Sequence, residues 1–404
     1  MDPQQIGARI ESLRKKSGMT QQVLAQKLNV TDKAISKWEN GTGYPDITVL
    51  PKISAVFGIT VDHLLFGPKR GIAVAGNIIT DIVKNIDLYP KTGMLTYVTD
   101  TTYAVGGCVP NTAIDLAKID QTIPIYALGK IGKDENGRFI LAQLIKHGVS
   151  IGGISFSSEN VTSFCDVMSV PAGERTFFHT KGANAEFSPT DIDIASLDCS
   201  MLHIGYILLL DAFDKPHKTY GTVMAAFLRQ VQNAGIKTSI DVVSDSSENY
   251  AEKIIPALKY CNYAIMNEIE CCVIWQQEAY DSRGNLNRDI IKRCMKKMAD
   301  CGVQDKVIVH SKTCSFVLDV FSGEFTEIPS LDLPSEEIRG SVGAGDAFCA
   351  GCLYALYHQY ADKELLEFAS AAAACSLFAA NSTDGMKSKA DILQMMTKYK
   401  RLSL

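Results

Sequence analysis

The 404-residue chain contains no apolar run approaching the roughly 20 residues that span a bilayer. Its opening, MDPQQIGARIESLRKK, lacks the apolar core of a secretory signal. Neither a membrane anchor nor export is therefore expected, and the chain is read as cytoplasmic. A Walker A sequence is missing, which excludes a P-loop nucleotide enzyme. No Rossmann glycine fingerprint follows the first strand pattern. The 12 cysteines are scattered and follow no disulfide framework of a small secreted domain. Cys349 and Cys352 form a C-x-x-C, but no second pair stands at zinc-site spacing. They and Cys271-Cys272 are expected to pack as small apolar side chains rather than to bind metal or run redox chemistry.

What is present is an ordinary globular balance, 46 % hydrophobic and 21 % charged, on a length that suits two or three domains. The net charge of −5 is uneven: residues 1–70 carry ten Lys and Arg against six Asp and Glu, so a +4 head is joined to a −9 body. Only the head is suited to meet a polyanion.

Residues 4–65 read as short helices. Ile6, Ile10 and Leu13 mark the first. Thr20 caps QQVLAQKL, with Val23, Leu24 and Leu28 on one face, and Thr31 caps DKAISKWEN, with Ala34, Ile35 and Trp38 inward. Two helices joined by a tight turn, the second opening with small polar and basic residues, form a helix-turn-helix pattern. GPKRG at 67–71 is a short turn-rich linker. Beyond it, IAVAGNIITDIV alternates like a strand, and TIPIYALGKIG, SMLHIGYILL, TSIDVV, YAIMN and KVIVH are short apolar runs. Helical stretches such as GRFILAQLIKHGV, KTYGTVMAAFLRQVQNAG and NRDIIKRCMKKMADCG alternate with them. That order predicts a largely parallel sheet with helices on both faces, and ligands at the carboxyl ends of its strands.

The stretch GSVGAGDAF at 340–348 places nearly side-chain-free residues before Asp346 and then opens a helix, with Phe348, Cys352, Leu356 and Tyr360 on one face. The first N–H groups of a helix have no partner within it, and its dipole favours negative charge. Glycine there admits close approach of a ligand and offers its own φ range. Taken alone, the nine residues are equally a loop-to-helix turn. Three other features stand with them: VGGCVPNTAIDLAKI at 105–119, with paired glycines and Asn111; MNEIE at 266–270, with an amide and a carboxylate three apart; and Asp81.

GGxxxN, NxxE and GAGDAF, in this order and spacing, resemble the ribokinase-like (PfkB) carbohydrate kinases, over about residues 71–404. MTQQVLAQKLNVTDKAISKWENGTGYPDITVLPKISAVFGITVDHLL similarly resembles a lambda-repressor-like, Xre-type DNA-binding domain. The resemblances imply a small all-α helix-turn-helix domain over 1–67 and an α/β ribokinase-like domain over 71–404, mostly parallel with helices on both faces plus a small β lid. They imply that Asp346 is the base, that Gly343, Ala344 and Gly345 form the anion hole, and that Asp81, Gly107 and Asn111 bind a sugar. Asn267 and Glu270 would orient ATP phosphate and Mg²⁺, Glu270 through water. Residues 162–176 would be a lid hairpin with AGE as its turn, other lid strands lying near 83–103. Gln21 would touch the backbone of double-stranded DNA. Thr31, Asp32, Lys33, Ser36 and Lys37 would face base edges, with Lys27, Lys33 and Lys37 near phosphates. A homodimer is also implied.

Three positions depart from the pattern. Gly340 replaces an aspartate that helps bind a monovalent cation, so the resemblance does not carry potassium activation to this chain. Cys108 stands where ribokinases proper carry lysine, and Lys312 replaces a nucleotide-side glycine. The leading expectation is ATP-dependent phosphoryl transfer to a sugar hydroxyl, joined to DNA binding. The alternatives are a non-catalytic sugar- or nucleotide-sensing regulator, and a helix-turn-helix domain used for protein contact.

Overall fold

The computed structural model describes residues 2–59, 61–67, 71–170, 175–243 and 250–403. Residues 68–70 of the expected linker and the expected AGE turn at 172–174 lie outside them. The chain divides into two compact units, 1–70 and 71–404.

The first unit holds α1 (Pro3–Lys16), α2 (Gln21–Leu28), α3 (Asp32–Glu39), α4 (Leu50–Phe57) and α5 (Val61–Phe66). Thr20 and Thr31 cap α2 and α3 as expected, their hydroxyls accepting from the N–H of Val23 and Ala34 at 3.2 Å. Ile6, Ile10, Leu24, Ala25, Leu28, Ile35, Trp38, Ile53 and Leu64 form the core. Val23 does not join it: its side chain is exposed, and Ala25 takes the inward position beside Leu24 and Leu28. The unit also buries an ion pair. Arg14 Nε donates to Glu39 Oε1 at 2.7 Å and its Nη2 to Oε2 at 2.9 Å, while Gln21 Nε2 donates to Oε2 at 2.8 Å.

In the second unit β1 (Gly71–Gly76) is followed at once by β2 (Ile79–Ile86) and β3 (Val98–Gly106). The run expected as one alternating strand is thus two strands in different sheets, and β1 is buried on both faces. Next come α6 (Cys108–Ile119), β4 (Ile125–Ile131), α7 (Glu135–Lys146), β5 (Ser150–Phe156), β6 (Phe164–Ser169), β7 (Arg175–Thr180) and β8 (Cys199–Ile207). Two short strands, β9 (Pro216–His217) and β10 (Gly221–Thr222), precede α8 (Val223–Asn233). That helix starts later than the sequence pattern suggested, at the Thr222 cap. The remaining elements are β11 (Lys237–Val242), α9 (Tyr250–Leu258), β12 (Tyr263–Asn267), α10 (Glu268–Val273), α11 (Arg288–Asp300), β13 (Lys306–His310), β14 (Cys314–Asp319), β15 (Phe325–Pro329), α12 (Ala344–Tyr357), α13 (Asp362–Ser376) and α14 (Lys389–Lys398).

The main sheet runs β15-β14-β13-β12-β11-β8-β1-β4-β5, parallel from β13 to β5 and antiparallel at β14 and β15. Successive strand residues feed opposite cores, as the two-residue period requires. Ile72, Val74 and Ile265 meet α6, α12 and α13 on one side; Ala73, Ala75 and Ala264 meet α8, α9 and α11 on the other. A second sheet, β3-β2-β6-β7, contains the expected hairpin strands, β6 and β7 pairing antiparallel. Helix α12 is buried on every face from Asp346 to Leu356, not on one stripe, and Tyr360 lies past its end. All twelve cysteines are free, and all but Cys301 are buried. Among the described residues no helix is long and apolar enough to cross a membrane.

Glu39→Ala strands the Arg14 guanidinium in the smaller core. Loss of one partner of a buried pair costs about 3–5 kcal/mol, a large share of what a domain of this size holds. Amide hydrogen exchange is expected to accelerate across α1–α3 while the sheet of the second unit keeps its protection. Unchanged exchange in α1–α3 would show the pair to be dispensable.

Candidate active site

The main sheet's parallel strands end on one edge, and the helix starts of α6 and α12 face it. Gly343 caps α12 with φ +79°, and a Cβ at that position would lie 2.6 Å from Ser382 Cα. The backbone therefore reverses directly into the helix, leaving the first N–H groups directed outward. Gly345 differs from the expectation. It sits within the helix with no positive φ, and a Cβ there would meet the His310 ring at ordinary contact distance, Cε1 at 3.6 Å and Nε2 at 3.8 Å. Its lack of a side chain matters for access and not for backbone conformation. Gly340 lies against the carbonyls of Ala379 and Ala380, at 3.0 and 3.2 Å from a built Cβ.

Asp346 is buried in the first turn of α12. Tyr206, at the end of β8, donates its hydroxyl to Asp346 Oδ1 at 2.7 Å; Asn111 Nδ2, from α6, donates to Oδ2 at 2.9 Å. Burial raises the pKa of Asp346 above the usual carboxylate value, and these two donors oppose it by favouring the ionised form. Asn111 reaches across because Gly107, with φ +82°, starts α6 directly beneath the Asn77 carbonyl, where a Cβ would lie 2.6 Å from the oxygen. Among the described residues Asn111 Oδ1 is buried without a hydrogen-bond partner, a spare acceptor beside the helix start.

Asp81, on β2, lays its carboxyl against Gly106. Burial, then the charge of Asp346, pushes it up to about 6, with Arg175 of β7 acting in the opposite direction. Asp241, at the end of β11, is pushed well up by burial and then by Glu270 and Asp346. Cys108 is fully buried, its Sγ 2.7 Å from the Gly205 carbonyl, so no cation occupies the position where lysine was the comparison.

Asn267 and Glu270 hold the start of α10. Asn267 Oδ1 accepts from the Glu270 N–H at 2.8 Å, and Glu270 Oε2 accepts from the Asn267 N–H at 3.0 Å, a reciprocal capping box. Glu270 is buried, unlike the solvated helix residue that its isolated sequence position suggests. Asp241 and Glu270 are hard oxygen donors of the type Mg²⁺ uses together with waters and phosphate. Among the described residues no three His, Cys, Asp or Glu are grouped to hold a metal by themselves. Lys312 is exposed in the turn between β13 and β14.

The structure thus brings together Asp346, Asn111, Asp81 and Gly107, with Asn267 and Glu270 on a neighbouring strand end. Tyr206 and Asp241 were missed. The lone carboxylate in TSIDVV was a usable signal; a tyrosine in an apolar strand was not. In the first unit Thr31, Asp32, Lys33 and Lys37 are exposed on α3 and its cap, and Ser36 is half-buried. Gln21 is anchored by Glu39.

A mostly parallel α/β unit with a buried carboxylate clamped at a glycine-bounded helix start has the architecture of a sugar phosphotransferase. Residues 69–389 match the pfkB family of carbohydrate kinases, and residues 10–64 match a helix-turn-helix family. The chain belongs to the pfkB family of carbohydrate kinases and carries a helix-turn-helix domain before the kinase domain. It is 22 % identical to the 5-dehydro-2-deoxygluconokinase of Geobacillus kaustophilus over 82 % of this chain and 95 % of that one. Over 65 residues, 16 % of this chain and 32 % of the other, it is 43 % identical to the HTH-type transcriptional activator BcrR of Enterococcus faecalis. Among solved structures, the ribokinase of Thermotoga maritima aligns with a TM-score of 0.67 at 19 % identity, over 81 % of this chain and all of that one. The Arabidopsis thaliana ribokinase complexed with ribose and ATP aligns with a TM-score of 0.65 at 20 % identity, over 82 % and 99 %.

Gly343→Ala and Gly345→Ala separate the two glycines. The first is expected to lose kinase turnover and thermal stability together, because its Cβ collides with Ser382 in a left-handed backbone. The second is expected to keep its melting temperature. Equal melting temperatures for both would mean that the α12 start does not need Gly343.

Proposed function

We propose that this kinase transfers the γ-phosphate of ATP to a hydroxyl of a small sugar or related substrate, and that the same chain binds DNA in the cytoplasm. The observation that carries the catalytic half is the Asp346 clamp: a buried carboxylate whose ionised form two donors favour, at a helix start suited to an anion. Asp346 takes the hydroxyl proton as the acceptor oxygen attacks phosphorus. The N–H groups of Gly343, Ala344 and Gly345 receive the charge that builds on the transferred group. Asp81, Asn111 and the Gly107 backbone hold the acceptor. Asn267 and Glu270 face the nucleotide side, where bound Mg²⁺ would neutralise phosphate charge, with Glu270 engaging it through water. Gly340 brings no carboxylate to a monovalent-cation site, so a potassium requirement is not part of this reading.

A panel of fructose, ribose, a keto-deoxy sugar acid and a nucleoside, with ATP–Mg²⁺ and ADP release as readout, tests this. Turnover is expected with one class. Asp346→Asn is expected to lower kcat at least ~10²-fold with acceptor binding largely kept. Near wild-type turnover in that variant removes Asp346 from the mechanism.

For the first unit, the exposed α3 residues Asp32, Lys33 and Lys37, with the Thr31 cap, half-buried Ser36 and Gln21, support DNA binding, with Lys27 adding charge at phosphates. The kinase unit further supports a homodimer through the β3-β2-β6-β7 sheet, whose edge strands expose Val98, Tyr103, Phe177 and Phe178. A dimer would set the spacing of two DNA half-sites. Acceptor and nucleotide are then expected to change operator affinity by ~5–150-fold, with Lys33→Ala/Lys37→Ala as the variant that loses DNA. Operator affinity that is the same with and without acceptor and a non-hydrolysable ATP analogue would leave two uncoupled functions on one chain.

A further inference from the structure

The Asp346 carboxylate has two oxygens, and each already accepts one protein hydrogen bond. Oδ2 is held by Asn111, a residue of the acceptor side. Oδ1 is held by the Tyr206 hydroxyl, which belongs to none of the three sequence motifs. Tyr206 lies at the carboxyl end of β8, in the middle of the main sheet between β1 and β11. Tyr206 is half-buried, and desolvation followed by the neighbouring carboxylates Asp346 and Asp241 keeps its own proton on the oxygen. The phenol is therefore the donor and Asp346 the acceptor.

An ionised carboxylate offers about four lone-pair sites. With one site on each oxygen filled by an element that cannot rotate, the plane of the carboxylate is fixed. The acceptor hydroxyl can then reach only the sites left over. A base held this way meets its substrate with little reorganisation.

We infer that Tyr206 is a positioning residue of the phosphoryl transfer: its hydroxyl fixes the plane of the Asp346 carboxylate and, with Asn111, decides which lone pair faces the acceptor. This rests on the proposed role of Asp346 as base, but it concerns a contact that exists without substrate. It also gives the Cys108 position a purpose. A buried thiol, hydrogen-bonded to the Gly205 carbonyl, adds no cation beside the carboxylate and leaves its hydrogen bonds to Tyr206 and Asn111.

The groups that face Asp346 are Tyr206 from β8, Asn111, Cys108 and Asp115 from α6, Asp81 from β2, Asp241 from β11 and Cys349 from α12 itself. Among these residues there is no cation. His310, beside Gly345, is held neutral by burial. Hydrogen bonds are therefore the main means by which the ionised form of Asp346 is favoured, and removal of the Tyr206 bond has a definite sign. The ionised form loses a donor, Asp346 keeps its proton to higher pH, and the acid limb of turnover moves upward.

The experiment uses the full chain labelled with ¹³Cγ-aspartate, the Asp346 resonance being the one absent in Asp346→Asn. In Tyr206→Phe the proton affinity of Asp346 is expected to rise about tenfold, the scale of one hydrogen bond to a charged group. Replacing tyrosine by 3-fluorotyrosine, which makes the phenol a stronger donor, is expected to move the same titration downward. Opposite shifts in the two proteins are not produced by a merely structural contact. The same titration midpoint in wild type, Tyr206→Phe and the fluorinated protein overturns the inference. Kinetics separate it from the proposed function. If the acceptor panel gives turnover, Tyr206→Phe lowers kcat more than it changes KM, with its acid limb displaced upward. An unchanged kcat also overturns the positioning role. If wild type turns over no acceptor, the catalytic proposal fails, while the carboxylate titration still decides the contact.

Discussion

A carboxylate shut away from water, with its oxygens held by two protein donors, is the interaction around which the kinase unit's site is built. Solvent cannot supply the hydrogen bonds that Asp346 needs, so the fold supplies them from two elements far apart in sequence, β8 through Tyr206 and α6 through Asn111. Each needs its own backbone arrangement. Asn111 is in range only because Gly107 turns under the Asn77 carbonyl, and Asp346 only because Gly343 turns against Ser382. The parallel order β11-β8-β1 then brings Asp241 to the same edge, β2 of the second sheet brings Asp81, and burial first, with the charge of Asp346 adding to it, moves both toward the neutral form.

The sequence made visible those parts of the site where a residue type is demanded by the backbone. Glycine at 343 and 107, and an aspartate and an asparagine just after them, are conspicuous because few other residues suit such positions. Tyr206 left no comparable trace, since a tyrosine is ordinary in a strand. Asp81 was found but misplaced. β1 and β2 share a two-residue period and are separated only by Asn77 and Ile78, so the passage from one sheet to the other does not interrupt the pattern. Helix α12 misled for a different reason. It is enclosed on all sides by the sheet, α6 and α13, so every face is apolar and a chosen stripe has no special meaning.

The first unit shows the same limit on a smaller scale. Its caps were legible from Thr20 and Thr31. The choice between Val23 and Ala25 for the interior depended on how closely α2 approaches its neighbours, which no local pattern encodes. Nor did the sequence announce that Arg14, apparently one more basic residue of a positive head, is committed to Glu39 and unavailable to a polyanion.

The capping box at Asn267 and Glu270 has a consequence for how selection acts on this motif. The amide and the carboxylate close the start of α10 on each other, so the chain would retain them for folding alone. Loss of phosphoryl transfer would not by itself remove the folding role of this pair. The presence of this motif by itself is therefore a statement about architecture before it is one about chemistry.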